Sequence, residues 1–200
     1  MDGTVVDSGK MLAKTINAVR GHFDLPPVAQ ESMLRVLNDP DINSAQYFYG
    51  TETFTPKHTQ LFEKYYHDYC VDEVALYDGV KELLDRYHND LTLTIATNAH
   101  TPFAKRILSH LEIAHYFQFI IGADMVQNPK PHPEMIEKTM RQFDFKKEQA
   151  ILIGDSQKDK RAALAAGINH AIVGWGFSEH ENEESFAHTI ECLEKIIAKL

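Results

Sequence analysis

The sequence has only two cysteines, Cys70 and Cys192, among its 200 residues. They lie far apart and match no metal-binding spacing, so we interpret them as two thiols of a cytoplasmic protein rather than as a disulfide. No apolar run approaches the roughly 18–20 residues that span a bilayer, and no signal-peptide pattern is present. The composition therefore argues against a disulfide-stabilised scaffold and against a membrane partner.

Basic residues are fewer than acidic residues. The chain has 20 Lys and Arg against 29 Asp and Glu, which gives a net charge of −9. Nucleic-acid-binding proteins normally carry a basic surplus, so we do not expect nucleic acid as a partner. Hydrophobic residues make up 44% of the chain, enough for the core of one domain with a modest insertion. The oligomeric state leaves no recognisable signal in the sequence.

The first third of the chain has the periodicity of helices. Apolar residues recur at spacings of three and four, which predicts helices over residues 8–23, 30–37, 43–49 and 55–69. No stretch between about residues 9 and 74 carries a strand signal. We therefore predict that residues 9–74 form an all-helical insertion.

The pattern changes after residue 75, where apolar runs rich in β-branched residues alternate with helical stretches. Strands are predicted over 91–97, 117–122, 150–154 and 170–173, and helices over 80–87, 102–111, 133–143, 156–166 and 183–200. Such alternation predicts a parallel sheet with helices on both faces. The predicted fold class is α/β, a three-layer Rossmann-like core of residues 1–8 and 75–200 with an inserted α-helical cap.

Polar residues follow the predicted strands at the sheet edge where such folds bind ligands. They carry carboxylate, hydroxyl, amide and ammonium groups, and they are Asp2, Thr4, Thr97, Asn98, Lys130, Asp155 and Asp159. Neighbouring carboxylates repel each other unless a cation lies between them, and oxygen ligands favour Mg²⁺. A lysine, a hydroxyl and a metal together suit a phosphoryl group. Each residue alone also has an ordinary interpretation as a turn or surface residue, so the prediction depends on their order and spacing.

That order and spacing resemble the haloacid dehalogenase superfamily, and most of all its phosphoglycolate-phosphatase-like group with a helical cap. Residues 1–7 resemble the family's first motif, Asp-x-Asp-Gly-Thr-(Leu/Val)-x-Asp, from its second position on. The other motifs are matched by Thr97-Asn98, by Lys130-Pro131-His132-Pro133, and by Gly154-Asp155-Ser156-x-x-Asp159. The resemblance covers essentially the whole chain.

The resemblance implies a Mg²⁺-dependent phosphatase that acts on a small phosphorylated metabolite. Asp2 would be the general acid and base and would bind Mg²⁺ through its backbone carbonyl. Asp155 would be the carboxylate ligand of the metal, and Asp159 would support it, directly or through water. The phosphoryl group would be held by Gly3, Thr97, Asn98 and Lys130. We further expect substrate contacts in the cap near Arg35, Asn38 and Asp39, where a cap helix breaks.

The resemblance also implies an aspartate nucleophile two positions before Asp2, which would form an aspartyl-phosphate. That position precedes Met1, as does the apolar central strand that would carry it. Without this strand two inner sheet edges would lack partners, and each buried unpaired backbone group costs roughly 1–3 kcal/mol. We therefore expect an N-terminal truncation. The alternatives are a catalytically inactive protein that binds phosphate or metal and serves as a binding partner, and a phosphomutase.

Overall fold

The structure, a computed structural model, describes residues 1–177, 186–187 and 189–198. Four helices follow one another in the first third of the chain: α1 Gly9–His22, α2 Gln30–Asn38, α3 Ser44–Tyr49 and α4 Pro56–Tyr69. No strand occurs between residues 9 and 74, a stretch that is described throughout. The predicted inserted helical cap is therefore confirmed as part of the fold.

The remaining elements alternate between strands and helices. They are β1 Val6–Asp7, β2 Ala75–Leu76, α5 Val80–Tyr87, β3 Thr94–Ala96, α6 Thr101–His110, β4 Phe119–Ile121, α7 Glu134–Phe143, β5 Ile151–Gly154, α8 Gln157–Ala166, β6 Asn169–Val173, β7 Phe186–Ala187 and α9 Ile190–Ile197. Three short 3₁₀ helices lie at Ala114–Tyr116, Ala123–Met125 and Lys147–Gln149. Within the described residues, no helix is long and apolar enough to cross a membrane.

Local sequence explains where several helices begin and end. The hydroxyl of Thr55 accepts a hydrogen bond from the His58 amide, and Pro56 occupies the first turn, so α4 begins there. At the end of α8, Gly167 adopts a left-handed conformation with φ of 74°, which a residue without a Cβ reaches at little cost. These caps determine where α4 begins and where α8 ends.

The apolar stripe of α1 forms the centre of the cap. Ile16 is 2% exposed, and it packs with Ala13, Met33, Val36 and Phe48 in a buried cluster. The periodicity that predicted α1 therefore reflects burial against its neighbours α2 and α4.

Within the described residues, the strands form three separate hydrogen-bonded groups. β3 pairs in parallel with β4, and β5 pairs in parallel with β6, which pairs in parallel with β7. The short strands β1 and β2 pair antiparallel at the two ends of the cap insertion. The predicted parallel α/β core is thus confirmed, whereas the β1–β2 pair was not predicted because each strand has only two residues.

A cavity of about 580 Å³ separates β3 from β5. The two strands are not hydrogen-bonded to each other, and both line this central cavity together with Met1 and Val5. The sheet is therefore open at the place where the resemblance implies a central strand.

Two elements begin three or more residues away from their predicted starts. The first strand after α5 is confined to Thr94–Ala96, because only these residues pair with β4. The last helix begins at Ile190 rather than at residue 183, because the Thr189 hydroxyl caps it and residues 186–187 pair with β6 instead. Residues 183–185, 188 and 199–200 of that predicted helix lie outside the described residues.

Candidate active site

The N-terminal loop lies directly against the loop that follows β5. Thr4 Oγ1 donates a 3.2 Å hydrogen bond to Asp155 Oδ1. A Cβ added to Gly3 would lie 2.1 Å from Asp155 Oδ2, so the backbone touches this carboxylate. The first and last predicted motifs are therefore brought together, although about 150 residues of sequence separate them.

Lys130 connects the end of β3 with the start of α8. Its ammonium donates to Asp159 Oδ1 at 2.6 Å and to the Ala96 carbonyl at 2.7 Å. Lys130 is 8% exposed and Asp159 is 6% exposed, so this is a buried ion pair. Asn98 exchanges two hydrogen bonds with the Lys130 backbone, through its Nδ2 at 2.8 Å and its Oδ1 at 3.0 Å. The Thr97-Asn98 and lysine motifs thus form one unit.

The two buried carboxylates have opposite electrostatic environments. Burial, aided by the nearby Asp159 charge, raises the pKa of Asp155 to about 6. Burial also opposes ionisation of Asp159, but the adjacent Lys130 ammonium outweighs it and lowers the pKa of that carboxyl. Asp159 is therefore a paired anion, whereas Asp155 is a buried carboxylate that a cation would stabilise.

The donor set around Asp155 fits a hard divalent cation. Its neighbours include the Thr4 hydroxyl and the Gly3 backbone, and oxygen atoms are the ligands that Mg²⁺ prefers. In the part of the chain that the structure describes, no three His, Cys, Asp or Glu side chains form a metal-binding group. Mg²⁺ does not need one, because it commonly uses one or two carboxylates with waters and substrate phosphate.

The predicted acid–base residue Asp2 lies in the N-terminal loop, which contacts Asp155, and it is half-buried. Its Oδ1 accepts a 2.6 Å hydrogen bond from the Ser8 hydroxyl. This bond holds the side chain at the start of α1, between core and cap. Ser8, which orients Asp2, is fully buried, and its contact with Asp2 was not predicted from the sequence.

Three predicted residues have partners that change their expected contacts. Both Asp159 oxygens are occupied, one by Lys130 and one by the amide and hydroxyl of Ser156. The Gly3 amide donates to the Val6 carbonyl at 2.9 Å, so it is already used. The Thr97 hydroxyl accepts from the Ala99 amide at 3.2 Å and keeps its own proton to donate.

A loop after β6 covers the site and was missed by sequence reasoning. The Trp175 indole donates to the Thr4 carbonyl at 3.0 Å, and the Phe177 amide donates to Asp155 Oδ2 at 3.1 Å. A Cβ on Gly176 would lie 2.3 Å from both Asp155 Cβ and the Gly3 carbonyl oxygen. The available signal was a Gly-Trp-Gly sequence at the carboxyl end of a predicted strand.

The cap reaches the site through the end of α2. Arg35 is exposed, whereas Asn38 and Asp39 are half-buried. Lys158, in the first turn of α8, donates to the carbonyl of Leu37. Of the three predicted cap contacts, the structure thus brings the Asn38–Asp39 turn to the core and leaves Arg35 on the surface.

Gly3→Ala tests the close approach of the N-terminal loop to Asp155. The new Cβ would meet the carboxylate and would also force a side chain onto a residue with φ of 71°. We expect a loss of about 1–3 kcal/mol in the free energy of unfolding and a displaced Asp155. Urea unfolding measures the first effect, and Mg²⁺ titration measures the second.

Gly21→Ala is the matched control for Gly3→Ala. Gly21 lies in α1 and nothing approaches its Cβ position within 4 Å. We expect this variant to be as stable as the parent or up to about 1 kcal/mol more stable. Equal behaviour of the two variants would contradict the proposed contact between Gly3 and Asp155.

Known proteins share both the sequence and the fold. The profile of haloacid dehalogenase-like hydrolases matches residues 1–173. A phosphoglycolate phosphatase from Salmonella typhi is 31% identical, over 90% of this chain and 81% of its own length. One from Photorhabdus laumondii is 32% identical, over 91% and 81%.

Solved structures share the fold of this chain. A predicted phosphatase from Clostridium acetobutylicum superposes with a TM-score of 0.82 at 26% identity, covering 100% of this chain and 96% of its own. A haloacid dehalogenase-like hydrolase from Streptococcus pneumoniae gives 0.83 at 24% identity, covering 100% and 95%.

The fold and the paired motifs define a phosphoryl-transfer hydrolase with a capped α/β core. This chain belongs to the haloacid dehalogenase-like hydrolase family. The predicted enzyme class, a phosphoric monoester hydrolase, is confirmed by its phosphoglycolate phosphatase relatives.

Proposed function

We propose that this protein hydrolyses a small phosphate monoester in a Mg²⁺-dependent reaction, and that 2-phosphoglycolate is the first substrate to test. The observation that carries the proposal is the buried Asp155 carboxylate, which lies beside the Lys130–Asp159 ion pair. A cation site at Asp155 and a phosphate site at Lys130 would then lie together at one edge of the sheet. The relatives' names support the choice of substrate. The two unbridged thiols support a cytoplasmic location.

The residues of this chain would have distinct roles in binding and catalysis. Lys130, Asn98 and the Thr97 hydroxyl would hold the phosphoryl oxygens, because together they offer positive charge and hydrogen-bond donors. Asp2, held by Ser8, would give a proton to the leaving alkoxide and then take one from the attacking water. When bound at Asp155, Mg²⁺ would neutralise charge on the phosphoryl oxygens.

Asp159 would act through Lys130 rather than on the metal. Its charge is paired with the Lys130 ammonium, and Ser156 donates to its other carboxylate oxygen. The ion pair holds the ammonium at the end of β3, where the Ala96 carbonyl accepts its second hydrogen bond. We therefore assign Asp159 a positioning role.

We further propose that the attacking carboxylate arrives on a β-strand that occupies the central cavity. β3 and β5 line that cavity and are not paired with each other. An inserted strand would supply backbone partners to both, as strand addition does in other proteins. An aspartate at its carboxyl end, directly before Met1, would lie beside Asp2. It would attack phosphorus, and water would later release inorganic phosphate from the aspartyl-phosphate.

Hydrolysis of p-nitrophenyl phosphate with Mg²⁺ tests this proposal. We would compare the chain as it is with a form extended upstream by an apolar strand of about six residues and a final aspartate. A third form, with asparagine in place of that aspartate, is the matched control. We expect activity only in the form with the aspartate.

The other outcomes separate the competing functions. Activity in the unextended chain would contradict the strand proposal and leave the phosphatase intact. Inactivity of all three forms, with intact folding and Mg²⁺ binding, would favour a phosphate-binding or metal-binding partner protein. Phosphate returned to a second hydroxyl of a sugar phosphate rather than to water would identify a phosphomutase.

A further inference from the structure

Lys158 lies at the boundary between core and cap, next to the proposed phosphate site. It occupies the first turn of α8, one residue before Asp159. Its ammonium donates to the carbonyl of Leu37, near the end of α2. The side chain is therefore placed where the alcohol part of a bound phosphate ester would meet the cap.

The charge of Lys158 is incompletely paired. Burial lowers its pKa, although the charges of Asp159 and Asp39 act in the opposite direction. Within the described residues it makes no ion pair, and its hydrogen bond goes to a neutral carbonyl. An ammonium has three protons to donate, so a half-buried lysine with one such partner can accept an anion from a ligand.

A second unsatisfied donor lies next to this lysine contact. The Nδ2 group of Asn38 is buried and has no hydrogen-bond acceptor among the described residues. Asn38 directly follows Leu37, whose carbonyl Lys158 binds. Buried polar groups are normally paired, so an amide donor without an acceptor, next to an ammonium with protons to spare, indicates a place for acceptor atoms of a ligand.

A second contact between the cap and α8 lies further along this helix. Arg161 donates to both carboxylate oxygens of Asp41, at 2.9 and 2.6 Å. This bidentate pair is largely exposed and lies one turn from Lys158, on the same side of the helix. Because Arg161 already joins the cap to α8, Lys158 is not required for that purpose alone.

We propose that Lys158 and Asn38 bind a carboxylate at the alcohol end of the substrate, and so select anionic phosphate esters. This inference rests on the proposed function, because it assumes that the phosphoryl group is held at Lys130. A planar carboxylate offers two acceptor oxygens, which suits one ammonium and one amide donor. Lys158 is then a specificity-determining residue directly before Asp159.

Calorimetric titration with two esters of similar size tests the inference. The probes are 2-phosphoglycolate and 2-hydroxyethyl phosphate, which replaces the carboxylate by a neutral hydroxymethyl group, both with Mg²⁺. We expect Lys158→Met to weaken 2-phosphoglycolate binding about tenfold or more, and 2-hydroxyethyl phosphate binding less than about twofold. Asn38→Ala should give a smaller loss with the same selectivity.

Arg161→Met is the matched control, because it removes a cationic contact between cap and core that lies one turn further along α8. It should change the binding of both esters by the same factor. Circular dichroism and thermal unfolding confirm that each variant is folded before titration.

Two results would overturn the inference without contradicting the proposed phosphate site. One is equal weakening of both esters in Lys158→Met, which would make Lys158 a second cap contact. The other is equal affinity of the parent protein for both esters. If the parent binds neither ester nor inorganic phosphate, the proposed function itself fails and this inference fails with it.

Discussion

In the absence of divalent metal, raising the pH from about 4 to about 7 will lower the free energy of unfolding of the parent protein. The decrease will be about 3 kcal/mol larger than in the Asp155→Asn variant. The pKa of Asp155 is raised from 3.8 to about 6 in the folded protein, chiefly by burial. A tenfold change in a proton-binding constant corresponds to about 1.4 kcal/mol. The expected loss follows from the difference between the folded and unfolded pKa values.

The sign follows from proton binding. An acid with a raised pKa binds its proton more tightly in the folded state than in the unfolded state. Its contribution to stability is therefore present below the unfolded value, near 3.8, and is lost as the pH rises through about 6. The lowered pKa of Asp159 acts in the opposite direction, and its contribution is lost only below about pH 4.

Addition of Mg²⁺ should reverse the loss in the parent protein only. A cation at Asp155 replaces the proton, and below about pH 6 each further drop of one pH unit should weaken Mg²⁺ binding by about tenfold. Urea unfolding in chelator and in Mg²⁺, at several pH values, measures both effects. Subtracting the Asp155→Asn profile removes the contribution of the histidines. Identical profiles for the two proteins would contradict the assignment of Asp155 as the metal carboxylate.

The residues of the candidate site were predictable where a polar side chain directly follows a strand. Asp155 directly follows β5, whereas Lys130 lies in the loop after β4 and Asp159 in the first turn of the helix after β5. The structure brings these three residues into one cluster. Parallel strands present their carboxyl ends at one edge, so sequence position after a strand determines spatial position. The fold class was predictable for the same reason, since apolar runs alternate with helical periodicity along residues 75–173.

The rest of the site depends on backbone contacts that carry no side-chain signal. Phe177 contributes its amide rather than its ring, and Gly176 contributes the space left by its missing Cβ. The contacts of Asp159 with Lys130 and Ser156 were not predicted, because no motif specifies which neighbours reach its two oxygens. Such competition between partners depends on distances that a motif does not encode.

Replacing Lys130 with methionine will produce the second large effect, a loss of about 3–5 kcal/mol in the free energy of unfolding. Methionine keeps most of the length of the side chain but leaves the Asp159 carboxylate without its counter-ion. Both residues are less than one-tenth exposed, so water cannot replace the ammonium. Chemical denaturation of the two proteins at neutral pH measures the difference.

The double variant Lys130→Met, Asp159→Asn distinguishes charge from packing. It removes both charges, so we expect it to recover more than half of the stability lost by Lys130→Met alone. Asparagine can still bond to Ser156, which donates to Asp159 in the parent. If the double variant is no more stable than the single one, the loss comes from packing around the lysine stem, and the ion pair is not its cause.

The pH dependence of Lys130→Met gives an independent check. In the parent, burial opposes ionisation of Asp159 and the Lys130 ammonium reverses this, so the pKa of the carboxyl is lowered. Without the lysine, burial is opposed more weakly, by the N-terminal ammonium and the Ser156 hydrogen bond, so the pKa of the carboxyl should rise. The variant should then be least stable relative to the parent near neutral pH, and the difference should shrink toward about pH 4 as the carboxyl takes up a proton. A difference that is constant across this range would exclude an uncompensated Asp159 charge as the source of the instability.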